Sequence, residues 1–263
     1  MTKPDLGDVF DAGHEEFAVL APLLWNPMGA ATVREAGIKP GERVLDVCCG
    51  AGASAIPAAR AVGETGHVDA IDLAEKLLEQ GRKSDLRQLT FTHADATTWA
   101  GNDYDVVQCV YGVFFLPNMT ADSARLTTHL RPGGRFVVTT WAADAITPVP
   151  EILGEAVEAE GGKPMDSQGR AIGGQINTED KLAAWLEELG LRDISVVTEQ
   201  HYLPLTETTS WAIVMGSAMR MRLNGLADSV LPRVRTRFTN LLADRKVDRM
   251  NAVSLIGIGR TAQ

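Results

Sequence analysis

Cysteine is scarce: the chain has three in 263 residues, Cys48, Cys49 and Cys109. Two are adjacent, and all three fall in apolar, strand-like stretches. That excludes a disulfide framework and the spaced ligand sets that zinc requires. Reduced, buried thiols in a cytoplasmic protein without a metal are expected. Long apolar runs are also missing, since none reaches the roughly 18 residues of a membrane span. The opening Met-Thr-Lys-Pro-Asp-Leu-Gly-Asp lacks the apolar core of a signal peptide. No membrane partner is expected. Basic residues are in deficit, 25 Lys and Arg against 34 Asp and Glu, for a formal charge of −9. Phosphate binding calls for clustered cations, so nucleic acid is not an expected partner. The densest basic stretch is Arg233, Arg235 and Arg237, with Arg245, Lys246 and Arg249 nearby. It reads as a solvated helix face. Internal repeats and low-complexity tracts are absent.

What is present is an ample apolar content in a chain large enough to bury a core without disulfides or metals. Residues 43–61 are the most informative stretch. Arg43–Val47 is an apolar strand pattern interrupted by Asp46; Gly50 and Gly52 make a tight turn; a helix over Ser54–Val62 follows. The rhythm continues. Strands are expected at His67–Ile71, Leu89–Thr92, Tyr104–Val110 and Arg135–Thr140. Helices are expected at Leu73–Lys83 and Asn118–Leu130, the second stopped by Arg131-Pro132-Gly133-Gly134. Alternating strands and helices predict an α/β fold with a parallel sheet covered on both faces. Residues 142–177 break the rhythm with Pro and Gly around one helical piece near Glu151–Glu160, which suits a lid. A helix over Lys181–Leu189 and a strand over Ile194–Glu199 resume it. Two helices, Thr208–Leu223 and Ser229–Ala243, and a final strand, Asn251–Gly259, complete the reading.

A strand, a glycine turn and a helix start form a cradle for an adenosine-containing ligand, because glycine lets the backbone approach closely. Gly50-Ala51-Gly52-Ala53-Ser54-Ala55 fits the dinucleotide pattern G-x-G-x-x-A, and Asp72 stands about twenty residues on. Alone, that match would support a nicotinamide oxidoreductase. Asp46, four residues before Gly50, alters the balance: an acid there favours a cationic ligand end. With Asp46-x-Cys48-x-Gly50-x-Gly52, Ala94-Asp95-Ala96, Tyr104-Asp105-Val106-Val107 and Leu130-Arg131-Pro132-Gly133-Gly134, the segment 40–141 resembles class I S-adenosylmethionine-dependent methyltransferases. The nearest likeness is to the small-molecule branch, including ubiquinone/menaquinone-type C-methyltransferases and natural-product enzymes. Cys48 stands where that family has its first glycine, and Cys48-Cys49-Gly50 resembles a variant associated with the quinone branch.

The resemblance implies a Rossmann-like, seven-stranded, mostly parallel sheet with an antiparallel last strand and helical lid insertions. It implies S-adenosylmethionine as cofactor, S-adenosylhomocysteine as product, and a small organic acceptor methylated by in-line displacement. By resemblance, Asp72 accepts from the ribose hydroxyls, Leu73 lies against the adenine, and Asp95 meets the adenine amino group. Asp46, Cys48, Gly50, Ala51, Gly52, Ala96 and Cys109 complete the expected cofactor set. Tyr111, Phe114, Phe115 and Trp141 follow strands at the carboxyl edge, where open sheets bind ligands; with Trp25 and Met28 they are the substrate-side candidates. No catalytic base is assigned; His14, Tyr111 and His201 are the weak candidates. The expected division is an N-terminal helical cap (1–40), a cofactor-binding core (41–141), a lid insertion (142–177), a core completion (178–203), a helical substrate lid (204–248) and a final core strand (249–263). A nicotinamide oxidoreductase on a Rossmann fold and a non-catalytic S-adenosylmethionine-binding module stay open as alternatives. The acceptor atom and the oligomeric state stay open too.

Overall fold

The computed structural model of the protein describes residues 6–163 and 174–263. Part of the expected lid insertion, 164–173, and of the N-terminal cap, 1–5, lies outside them.

The cap consists of α1 (Leu6–Ala12), α2 (His14–Leu20) and α3 (Asn26–Ala36), with a π-helical turn at Ala21–Trp25 joining the last two. Pro22 and Pro27 fall inside this continuous helical path, since Leu20 and Trp25 before the two segments are themselves helical, and each removes one N–H from the ladder around the π turn. The core then alternates: β1 (Arg43–Val47), α4 (Ala55–Val62), β2 (His67–Asp72), α5 (Glu75–Arg82), β3 (Leu89–His93), β4 (Tyr104–Val110), α6 (Met119–Thr127) and β5 (Leu130–Trp141). After β5 come α7 (Val149–Ala159), α8 (Glu179–Glu188), β6 (Arg192–Glu199), β7 (Tyr202–Pro204), α9 (Glu207–Met215), a 3-10 helix (Ala218–Leu223), α10 (Leu231–Asp244), β8 (Arg249–Asn251) and β9 (Ser254–Arg260).

Seven strands make one sheet in the order β3-β2-β1-β4-β5-β9-β6. Only β9 runs antiparallel, to both β5 and β6. This is the Rossmann-like sheet, with its final strand reversed. The central strand β4 is buried at six of its seven positions, as a parallel strand covered on both faces must be. Helix α4 buries Ala55, Ala58, Ala59 and Val62, one face of a 3.6-residue period. Its alanines bring the helix axis close to the sheet.

Three expected elements differ. The Arg131–Gly134 segment is not a turn before β5 but a bulge inside it: Leu130 pairs with Tyr104, and pairing resumes at Arg135 with Val106. Gly133, at φ 73°, supplies the left-handed residue this needs. The expected final strand is two. Asn251 Oδ1 accepts from the Val253 N–H at 3.0 Å and turns the chain, so β8 pairs with β7 in a separate ribbon and only β9 joins the sheet. The expected helix 208–223 breaks at Gly216, and Ser217 Oγ caps the 3-10 helix at the Met219 N–H, 3.2 Å away.

Two apolar clusters fill the sheet faces. A third lies at the carboxyl edge of the strands. It packs α7, α9, α10 and the β7–β8 ribbon against Leu20, Leu24, Met28 and Tyr111.

Candidate active site

The strand order reverses between β1 and β4: the chain runs outward through β2 and β3, then returns to β4 beside β1. Open sheets bind ligands at such a reversal, on the carboxyl side. The glycine turn follows β1 there. Cys48 adopts φ 57°, the left-handed region, at the position where the resemblance expects glycine. Gly50 and Gly52 are left-handed as well, at φ 54° and 88°. The turn is held from below by Asp46, which is 0% exposed. Its Oδ2 accepts from Ser54 Oγ at 2.6 Å and from Gln108 Nε2 at 2.9 Å, while Oδ1 is buried with no partner. Burial pushes this carboxyl up to about 7, against the pull of those two hydrogen bonds.

Asp72 closes the turn from the other side. Its Oδ2 accepts from the Gly50 N–H at 2.7 Å and its Oδ1 from the Ala74 N–H at 2.8 Å. Burial raises its pKa above the ordinary value, and the backbone N–H groups oppose that. Leu73 beside it is 40% exposed, an apolar side chain open to the cleft edge. Asp95 follows β3 and folds back on Thr97, whose N–H and Oγ reach Oδ1 at 2.7 and 2.8 Å. The next residue, Ala96, is buried, and Arg125 of α6 donates to its carbonyl.

On the β4 side, Cys109 and Cys48 converge. A Cβ at Gly112 would stand 2.6 Å from Cys109 Sγ and 3.0 Å from Cys48 Sγ, so only glycine fits between them. Contact with the Cys109 thiol and burial hold the Cys48 thiol well above its ordinary pKa, so it stays protonated. Beyond β4 and β5 stands an aromatic group. Tyr111 and Trp141 stack with centroids 4.2 Å apart, and Trp25 meets them edge-on at 5.9 and 6.5 Å. Phe17 stacks on Trp25 at 5.3 Å and lies against Gly50. Met28 is buried in the cluster below. Phe114 and Phe115 form a separate edge-on pair that Phe10 of α1 joins.

A family model described as a methyltransferase domain matches residues 44–134, from β1 into the bulge of β5. Aklanonic acid methyltransferase DauC of Streptomyces sp. (strain C5) is 35% identical over 143 residues, 52% of this chain and 65% of that protein. Demethylmenaquinone methyltransferase of Staphylococcus saprophyticus is 34% identical over 109 residues, 40% of this chain and 47% of that one. The chain thus spans less than two thirds of either relative. In fold, it is similar to an S-adenosylmethionine-dependent methyltransferase from Geobacter sulfurreducens solved with S-adenosyl-L-homocysteine. The TM-score is 0.59 at 19% identity, covering 97% of this chain and 98% of that one.

Around the glycine turn, the three base candidates part company. Only Tyr111 stands in the aromatic group. Its hydroxyl is 2.6 Å from Ser254 Oγ, and burial pushes its pKa well up. His14 Nδ1 is bonded to the Asp11 carbonyl at 2.8 Å, in a hollow of 620 Å³ between α2 and α5 that Lys76 and Gln80 also line. His201 Nε2 is bonded to the Leu23 carbonyl at 2.7 Å. Neither histidine touches the aromatic group. Among the described residues no cluster of His, Cys, Asp and Glu is arranged to hold a metal ion, and no helix is long and apolar enough to cross a membrane. Sequence reasoning missed Phe17, Ser54, Gln108, Gly112 and Ser254. Of these only Ser54 carried a local signal, as the residue before a helix that follows a glycine turn.

Proposed function

We propose that this protein is an S-adenosylmethionine-dependent methyltransferase that acts on a small organic acceptor in the cytoplasm. One observation carries the reading: the Asp72 carboxylate is fixed to the glycine turn at the strand reversal, with an exposed Leu73 on one side and an aromatic group on the other. The residues fit the cofactor. Each Asp72 oxygen has a second lone pair beyond the backbone N–H it accepts, which suits a ribose diol. Asp46 Oδ1, buried and unpartnered, suits the ammonium or sulfonium end, reached directly or through water. Leu73 suits an adenine face, and Asp95 keeps Oδ2 for its amino group. When bound, S-adenosylmethionine supplies an electrophilic methyl group, moved by in-line displacement with S-adenosylhomocysteine as product.

The chain's own part is alignment and exclusion of water. Trp25, Tyr111 and Trp141 wall the acceptor side, and the cap and the 204–248 segment cover it. Tyr111 does not serve as a base near neutrality, because its buried phenol holds its proton. With both candidate histidines bonded to backbone carbonyls, the acceptor brings its own nucleophilicity. Calorimetric titration with S-adenosylhomocysteine tests the reading. Saturable heat in the micromolar range supports it. Silence up to high-micromolar ligand, with fluorescence enhancement of reduced nicotinamide cofactor instead, would replace it with the oxidoreductase.

A further inference from the structure

Arg222 lies on the 3-10 helix between α9 and α10, and its Nε and Nη2 are buried without a hydrogen-bond partner. Arg125 and Arg135 also bury an Nε without a partner, but each is held through its Nη atoms. Arg135 pairs with Glu42 at 2.5 Å, and Arg125 donates to the Ala96 and Trp99 carbonyls. Among the described residues Arg222 has no hydrogen bond and no ion pair. A buried cation with empty donors is unfavourable unless something else supplies the acceptor.

Three features identify that acceptor. Nε–H and one Nη2–H point the same way and form one edge of the guanidinium, the fork that matches the two oxygens of a carboxylate. Arg222 also stands three residues after Met219, and in a 3-10 helix that spacing sets two side chains on one face. Met219 packs on the edge cluster that contains Trp25, Tyr111 and Trp141, so Arg222 faces the same side. Trp25 Nε1, at that cluster, is a third buried donor without a partner.

Resting on the methyltransferase reading above, we infer that the acceptor is an aromatic acid whose carboxylate is received by Arg222, with Trp25 as the additional donor. The carboxylate is an anchor: it sets which end of the molecule faces the glycine turn. Arg222 is therefore a specificity-determining residue.

Two probes of one shape test this in the full chain saturated with S-adenosylhomocysteine: 2-naphthoate and the neutral 2-naphthylmethanol, titrated by tryptophan fluorescence. The unmodified protein is expected to bind the naphthoate about tenfold or more tightly than the alcohol. Arg222→Met is expected to level the two, and Arg222→Lys to keep part of the preference, since a point charge lacks the fork. Equal affinities in the unmodified protein, no binding of either probe, or a preference that survives in Arg222→Met overturns the inference. The first two outcomes need no variant, so they hold even if Arg222→Met fails to fold. S-adenosylhomocysteine affinity, measured on the same samples, separates the two levels. If it is intact while the probe preference is missing, the anion site falls and the methyltransferase reading stands; if it is absent in the unmodified protein, that reading falls.

Discussion

Replacing Asp46 with Asn probes the support beneath the glycine turn. The native carboxyl is fully buried with a pKa of about 7, against an ordinary value of 3.8. A group whose folded pKa is raised stabilises fully only below its unfolded pKa, and that contribution is lost as pH rises through the folded one. Worked through, ionised Asp46 costs the fold about 4 kcal/mol above pH 7, of which about 3 kcal/mol accrues between pH 5 and pH 8. Asparagine cannot ionise. Its Oδ1 takes over the bonds from Ser54 and Gln108, and its Nδ2 occupies the place of the partnerless oxygen, at a cost of about 1–3 kcal/mol. At pH 8 the variant should therefore exceed the native protein by about 1–3 kcal/mol, and at pH 5 the two should lie within about 1 kcal/mol of each other. Urea unfolding at pH 5, 6, 7 and 8, without added ligand, measures both. The decisive quantity is the native-minus-variant difference, which should fall by about 3 kcal/mol across that range. Parallel curves would refute the reasoning, because they would mean that Asp46 titrates alike in the folded and unfolded chain.

Further outcomes follow from the same contacts. Asp72→Ala frees the N–H groups of Gly50 and Ala74 and removes the expected ribose acceptor; S-adenosylhomocysteine affinity should drop about 100-fold or more by calorimetry. Gly52→Ala forces a side chain into φ 88° with its Cβ 2.7 Å from the Phe91 ring, so urea unfolding should show a loss of about 1–3 kcal/mol. Arg135→Met strands Glu42 in a nearly buried site and should cost about 3–5 kcal/mol, much of it recovered in the Glu42→Met, Arg135→Met double variant. Tyr111→Phe removes only the bond to Ser254, about 1 kcal/mol. Its methyl-transfer rate, once an acceptor is found, should stay within a few-fold of native; a loss of several orders would make Tyr111 a base.

Much of the sheet was legible because its determinants are local. Alternation of apolar strands and helices over 43–141 placed every core strand within a residue or so of its observed bounds, except at the start of β5. There the Pro-Gly-Gly segment reads as a turn, whereas pairing with Tyr104 makes it a bulge, and pairing is a property of two strands. The β7–β8 ribbon was illegible for the same reason: Tyr202–Pro204 and Arg249–Asn251 are too short to show a period and acquire one only by pairing.

The candidate site divides along the same line. By itself the sequence determined the strand–turn–helix around Gly50 and Gly52 and the acids spaced around it, because backbone conformation and nearest-neighbour spacing act over a few residues. Only the tertiary structure decided which groups meet across the chain. Gln108, 62 residues from Asp46, holds its carboxylate, and Ser254, 143 residues from Tyr111, holds its phenol. Folding also left the Arg222 guanidinium edge buried without an acceptor. Burial and the company of distant side chains set the charge and the hydrogen-bonding state of each group, and both are created by packing.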